Sequence, residues 1–323
     1  MITYISEKIK GVLHVEYEYL LAVAAILNAL LLAACVIFFL FYRKNSLEKT
    51  RNENALLNQL NKKTEFFSNM AHELKTPLSV IFGAVQLMEM KKPGQTEEYN
   101  SFIKNLRIIK CNCYRMSRLT NNLLEMTKIE AGYLKLKQVN CDLSLLIEEI
   151  IQSVLPYAVQ KQLNLHYDNP SEAIFTAVDI EKMERIMLNL LSNAIKFTKS
   201  GGFINVTCYT IHERVFISVK DSGVGIPAEN QGGIFARFKQ VGNYPSVEEQ
   251  GSGIGLSLVK SFVDLHHGGI RINSEQNQGC EFIIDIPLRL VNNEAGNANS
   301  EDCNIRLAEA VTTEFSTLNS IAL

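Results

Sequence analysis

His72 is followed directly by Glu73, with Thr76 four residues further on. An imidazole is neutral for much of the time near neutral pH and keeps a lone pair for nucleophilic attack. A neighbouring carboxylate favours the proton-bearing ring while the other nitrogen attacks. A hydroxyl one helical turn away shares that face and can hold a water or a phosphoryl oxygen. The same pair on an ordinary solvated helix has no such role, so the surroundings must decide. Leu56, Leu60, Lys63, Phe67, Met70 and Leu74 follow a four-three spacing, which draws one stripe along a helix. With Phe67 at position a and Met70 at d, His72 falls at f and faces water. Pro77 has no N–H for the carbonyl of Glu73, so a bend is predicted beside His72.

A second group of residues suits nucleotide chemistry. A helix predicted over 181–197 carries Asn189, Asn193 and Lys196 on one face, with Ile186, Met187, Leu190, Leu191 and Ala194 on the other. An amide oxygen is a hard neutral ligand for Mg²⁺, and a lysine pairs with phosphate. A solvated helix face has the same composition. Asp221-Ser222-Gly223-Val224-Gly225 follows a predicted strand. Its glycines permit close backbone approach, and Asp221, an acceptor only, matches the amino group of adenine and not the oxygen of guanine. The plain alternative is a turn. Gly251, Gly253 and Gly255 open a third apolar-periodic helix, where backbone N–H groups bind phosphate. Between these two pieces, Ile234 to Phe238 and the polar run to Gln250 suit a lid, and Arg237 is a candidate for the terminal phosphate.

The run Phe66-Phe67-Ser68-Asn69-Met70-Ala71-His72-Glu73-Leu74-Lys75-Thr76-Pro77-Leu78 resembles the H-box of sensor histidine kinases. The Asn-bearing helix, Asp-Gly-Gly turn, Phe-rich segment and glycine loop resemble, in order, the N, G1, F and G2 boxes of their ATP-binding domain. Together the likeness covers residues 60 to 290. It implies His72 as phosphoacceptor, Glu73 as acid-base partner and Thr76 as the phosphatase-assisting position. It implies ATP and Mg²⁺ at Asn189, Asn193, Lys196, Asp221, Gly223, Gly225, Arg237, Gly251, Gly253 and Gly255, with Asn193 on the metal. The phosphoryl group would pass to an aspartate of a response regulator with a receiver domain, and the same protein would also dephosphorylate that regulator. Gly232-Gly233 ahead of Phe235 and Ala236 in place of a common acidic residue depart from the pattern. They put lid rigidity and catalytic rate in question, not nucleotide binding. Two rivals stand beside this reading: a catalytically degenerate membrane scaffold or allosteric partner of another kinase, and the related chaperone and mismatch-repair ATPases, which lack the H-box.

These residues need elements to position them. The expected fold is α+β: a single transmembrane helix (19–42), a helical linker (43–65), a dimeric hairpin forming a four-helix bundle (66–132), an α/β sandwich ATP-binding domain of the histidine-kinase and chaperone ATPase type (133–290) and a flexible tail (291–323). Hairpin helices are predicted to Met90 and over Glu97 to Glu130. Their apolar stripes, left uncovered by one chain, point to a homodimer. Strands are predicted at 163–167, 203–209, 215–220 and 280–286.

Leu20 to Phe41 is apolar except for Asn28, long enough to span a bilayer. Arg43, Lys44, Lys49 and Arg51 follow it, which puts the C-terminal side in the cytoplasm and the protein in the cytoplasmic (inner) membrane. Leu32 to Cys35 resembles a lipoprotein cleavage box, but apolar residues continue to Phe41. Residues 1–18 are too few for a folded extracytoplasmic sensor domain, so input is expected from the membrane, from a membrane or extracytoplasmic sensory partner, or from the linker. A net charge of -2 over 323 residues excludes a polybasic nucleic-acid binder. Seven cysteines without metal-ligand spacing suit a reducing compartment. His14, His166, His212, His266 and His267 lack a comparable setting and read as structural or surface residues.

Overall fold

The computed structural model describes residues 64–88, 96–168, 172–237, 253–292 and 300–316, with scattered positions between 28 and 61. The chain divides into two compact units, residues 1–67 and 68–323. In the first unit every described residue is helical, including the run 38–44. Among the described residues no helix is long and apolar enough to cross a membrane. Most of the predicted span over 19–42 lies outside them.

Helix α1 (residues 64–88) and helix α2 (Thr96–Glu130) supply the predicted pair. The buried stripe of α1 passes through Phe66, Met70, Pro77 and Ala84, whereas Phe67 is 53% exposed. Met70 is buried as predicted, and Phe66 takes the place of Phe67 because two adjacent phenylalanines offer the pattern two starting points. His72 keeps its solvent-facing position. On α2, Leu119 and Met126 are buried while Phe102 and Leu106 are exposed. The C-terminal half of this helix is thus the half that is covered.

The remaining elements build a two-layer α/β domain. Strand β1 (Val139–Asp142) leads into α3 (Leu143–Gln160), whose N-terminus is capped by the Asp142 carboxylate accepting from the N–H groups of Ser144 and Leu145. Next come β2 (Asn164–Asp168), β3 (Phe175–Val178), α4 (Ile180–Phe197), β4 (Phe203–Ile211), β5 (Arg214–Asp221), the short α5 (Ala228–Gln231), α6 (Gly255–Leu265), β6 (Gly269–Glu275) and β7 (Gly279–Pro287). The main sheet has the order β2-β4-β5-β7-β6, with β2 parallel to β4 and the other pairs antiparallel. β1 and β3 form a small antiparallel pair of their own. Alternate residues of the central strands, Ile204, Val206, Val215, Ile217, Val219, Ile284 and Ile286, are buried. The helices α3, α4 and α6 cover the sheet. Each such side chain contributes about 1.5–3 kcal/mol of transfer free energy.

Strands β1, β3 and β6 were not anticipated. β3 has only four residues, and β6 is a polar edge strand, Gly-Ile-Arg-Ile-Asn-Ser-Glu, with no continuous apolar alternation. The tail, polar at first and weakly helical in its sequence, carries a helix. Residues Ser300–Glu314 form α7, and Leu307, Val311 and Phe315 are buried at four-residue intervals. Phe315 has no exposure at all and meets the Tyr157 ring of α3 with centroids 4.6 Å apart. One apolar stripe in a mostly polar segment is enough to hold a helix when a groove is waiting for it.

Candidate active site

His72 is exposed on α1. The carbonyl of His72 accepts a hydrogen bond from the Thr76 hydroxyl at 3.2 Å, so that hydroxyl is engaged with the helix backbone. α1 continues unbroken through Pro77, which is buried; the proline does not end the helix. Glu73 is half-buried and lies 3.6 Å from the guanidinium of Arg115 on α2. Arg115 escaped the sequence reading, since nothing in a helical run of mixed polarity marks which arginine faces a given carboxylate on another helix.

The nucleotide candidates converge from α4, the end of β5 and the start of α6. Asp179 caps α4 by accepting from the Lys182 N–H, takes a second bond from the Lys137 N–H at 2.8 Å, and donates its own N–H to His266 Nε2 at 3.1 Å. This fixes the helix whose core face, Ile186, Met187, Leu190, Leu191 and Ala194, is fully packed. Asn189 and Asn193 lie half-buried one turn apart. The Asn189 amide donates to the Arg185 carbonyl at 2.8 Å, and its oxygen sits only 2.4 Å from where a Cβ at position 255 would be. Glycine at 255 thus lets α6 begin against that amide. The Lys196 ammonium lies 4.8 Å from the ring centroid of Phe197.

Asp221 ends β5 at 7% exposure. Burial pushes its carboxyl above the usual carboxylate range, and the N–H groups of Gly223, at 2.8 Å, and Cys280 offset part of that. The turn after it is held from outside: Ile226 N–H donates to Ser274 Oγ at 2.8 Å, and Asn277 N–H to the Val224 carbonyl at 2.7 Å. Gly225 has φ +64, and a Cβ there would lie 1.9 Å from the Glu275 carbonyl oxygen. The result is a cradle of closely packed backbone with one buried carboxylate beside it, an acceptor that fits an adenine amino group. The described residues hold no cluster of three or more His, Cys, Asp or Glu able to bind a metal. An amide set such as Asn193 fits a cation already carried by phosphates better than a bare ion.

Arg237 pairs with Glu130 at the end of α2. Gly253 has φ +67 before α6, while Gly251 and most of the predicted lid lie outside the described residues. Three further contacts tie the nucleotide domain to α2. Lys182 Nζ donates to Glu125 at 2.8 Å, Arg185 Nη2 donates to Asn122 Oδ1 at 2.8 Å, and the Arg185 guanidinium also pairs with Glu125. Burial alone would lower the Lys182 pKa, but its hydrogen bonds to Glu125 and Glu181 outweigh that and raise it.

The comparisons with known proteins agree with this geometry. Residues 62–132 match the His Kinase A (phospho-acceptor) domain, and residues 178–290 match the histidine kinase-, DNA gyrase B-, and HSP90-like ATPase family. The sensor histidine kinase TmoS of Ectopseudomonas mendocina is 38% identical over 231 residues, covering 71% of this chain and 23% of TmoS. The first four curated relatives are matched over 16–29% of their own length. Full-length ShkA in complex with AMPPNP superposes with a TM-score of 0.52 at 25% identity, over 70% of this chain and 46% of ShkA. ThkA, solved in complex with the response regulator protein TrrA, shares the fold with a TM-score of 0.52 at 23% identity, over 70% of this chain and 61% of ThkA. An ATPase-type α/β domain held against a helix pair with an exposed histidine defines a class of ATP-dependent phosphotransfer modules. Within that class, the chain carries the phospho-acceptor domain and the ATPase domain of histidine kinases over residues 62–132 and 178–290.

Proposed function

We propose that this chain autophosphorylates His72 from Mg-ATP and passes the phosphoryl group to an aspartate of a response regulator, with dephosphorylation of that regulator as a second activity. The observation that carries the reading is that His72, exposed on α1 within the phospho-acceptor domain, and the buried Asp221 of the ATPase domain occur in the same compact unit. A nitrogen of the His72 imidazole attacks the γ-phosphorus, the bond to the ADP oxygen breaks, and the proton on the other ring nitrogen is stabilised by Glu73. Mg²⁺ held by Asn193 would supply neutralisation of the phosphate charge. Asp221 orients the adenine, the backbone at Gly253 and Gly255 receives phosphate, and Lys196 adds positive charge. Thr76, one turn from His72, would orient the water that cleaves the regulator's acyl phosphate.

The kinase works as a homodimer, a reading supported by Leu78, Phe82 and Val85 on α1 and Phe102 and Leu106 on α2. These form exposed apolar stripes at helical spacing. Residues 19–42 anchor it in the cytoplasmic membrane with the catalytic part in the cytoplasm, supported by the apolar run and the basic residues after it. A membrane or extracytoplasmic partner supplies the signal. Incubation with γ-labelled ATP tests the central step: the expected label is acid-labile and alkali-stable and is absent from His72→Gln. Label persisting in that variant removes His72 from the reaction. Carbonate extraction of membranes tests the anchor, and release of the chain into the supernatant would refute it.

A further inference from the structure

We propose that α7 is a built-in brake, in which Glu314 clamps the nucleotide domain onto α2 and so restrains phosphorylation. Glu314 Oε1 accepts from Arg118 Nη1 of α2 at 3.1 Å and from Ser192 Oγ of α4 at 3.1 Å. Arg118 also donates to the Glu314 backbone carbonyl at 3.1 Å. One carboxylate therefore joins the hairpin to the nucleotide helix, at a position between Asn189 and Asn193. Arg118 and Glu314 are only 17% and 14% exposed, so solvent and salt screen the pair little. A second anchor lies two turns earlier on α7, where Arg306 makes a two-point pair with the nearly buried Glu184 of α4, at 2.8 and 3.2 Å. The apolar stripe Leu307, Val311 and Phe315 completes the seat against α3 and α4.

What the clamp holds in place follows from positions along α2. The level of His72 is marked by Arg115, which meets the adjacent Glu73. The nucleotide domain grips α2 at Asn122, Glu125 and Glu130. At ~1.5 Å per residue, these lie about 10, 15 and 22 Å further along the helix. Transfer needs the reacting atoms ~3–3.5 Å apart, so the domain must shift toward Arg115 before His72 is reached. Arg118 stands one turn from Arg115, and its bond to Glu314 opposes that shift.

This inference rests on the kinase reading, and the test separates the two. The full chain, purified in detergent micelles, is compared with Glu314→Gln and Arg118→Gln for the initial rate of His72 labelling at saturating ATP. ATP affinity is followed by displacement of a fluorescent ATP analogue. Amide hydrogen exchange is followed over residues 117–126. The expected result is a labelling rate raised threefold or more, affinity within twofold, and faster exchange on α2. The charge exchange Arg118→Glu with Glu314→Arg should restore both rate and protection toward the parent. Unchanged or slower labelling in both single variants overturns the brake. If the parent protein takes no label, the kinase reading fails, and the exchange arm alone decides the clamp: unchanged protection on α2 refutes it.

Discussion

His72 and His266 occupy opposite settings, and the contrast separates the two working regions of the molecule. His72 stands exposed on α1, with its ring available to solvent and to an approaching phosphate. His266 is 2% exposed, and both its nitrogens are spent: Nδ1–H donates to the Phe262 carbonyl at 2.8 Å, and Nε2 accepts the Asp179 N–H at 3.1 Å. The first histidine keeps its lone pair for chemistry. The second uses it to lock the start of α4 to the end of α6. The acceptor region is thus open and lightly constrained, whereas the donor region is preorganised by buried bonds, so that the reaction depends on bringing a rigid site to an accessible one.

The largest expected difference between the regions is in their tolerance of a methyl group. Gly225→Ala should cost about 3 kcal/mol, because the added Cβ meets the Glu275 carbonyl oxygen at 1.9 Å and φ is +64. Gly83→Ala on α1 meets nothing within 4 Å and should instead gain about 0.5–1 kcal/mol from helix propensity. Thermal unfolding of both variants checks the pair. Equal and opposite small shifts would mean that the cradle is softer than its geometry indicates.

Asp221→Asn comes next. It replaces an acceptor-only carboxylate by a group that can also donate to adenine, and ATP affinity should fall by roughly 10–100-fold, the equivalent of losing a charge-assisted hydrogen bond. Calorimetric titration measures it, with His72→Gln as the contrasting control, expected to bind ATP within twofold of the parent. A carboxyl raised by burial also takes up its proton at a higher pH than an ordinary aspartate. ATP affinity should therefore begin to decline, as the solution is acidified, above the usual carboxylate range.

Much of this was legible in the sequence, for physical reasons that differ by residue. His72, Asn193 and Asp221 sit in local patterns, a helix face or a strand-end turn, and local patterns survive without knowledge of the fold. The amphipathic face of α4 was read correctly down to its buried residues. On α1 the stripe holds at Met70, but Phe66 and not Phe67 is the buried phenylalanine, because both are apolar and the pattern accepts either. Arg237, the candidate for the terminal phosphate, pairs with Glu130, a partner more than a hundred positions away that no local pattern names. The α7 contacts fall in the same group: Glu314 finds Arg118 and Ser192 across separations of 196 and 122 residues. Periodicity specifies which face of a helix is apolar, but not which groove receives it.

The smallest predicted effect concerns the buried histidine itself. Burial holds the His266 pKa below its ordinary value of 6.5, with the Phe262 carbonyl and Asp179 only partly opposing this. In the unfolded chain the same ring titrates at its ordinary value. As the pH falls below 6.5, the unfolded state takes up a proton that the folded state refuses, so stability declines until the lower, folded pKa is reached and then levels. Above 6.5 both states are neutral and the group contributes no slope. The decline cannot exceed about 1.4 kcal/mol per pH unit for one proton. Urea midpoints at pH 7.5 and 5.5 should therefore separate further in the parent than in His266→Gln, which carries no titrating ring. His72→Gln, altering an exposed ring, should leave the parent's separation intact. If both variants behave alike, the proton is being excluded somewhere other than the contact between α4 and α6.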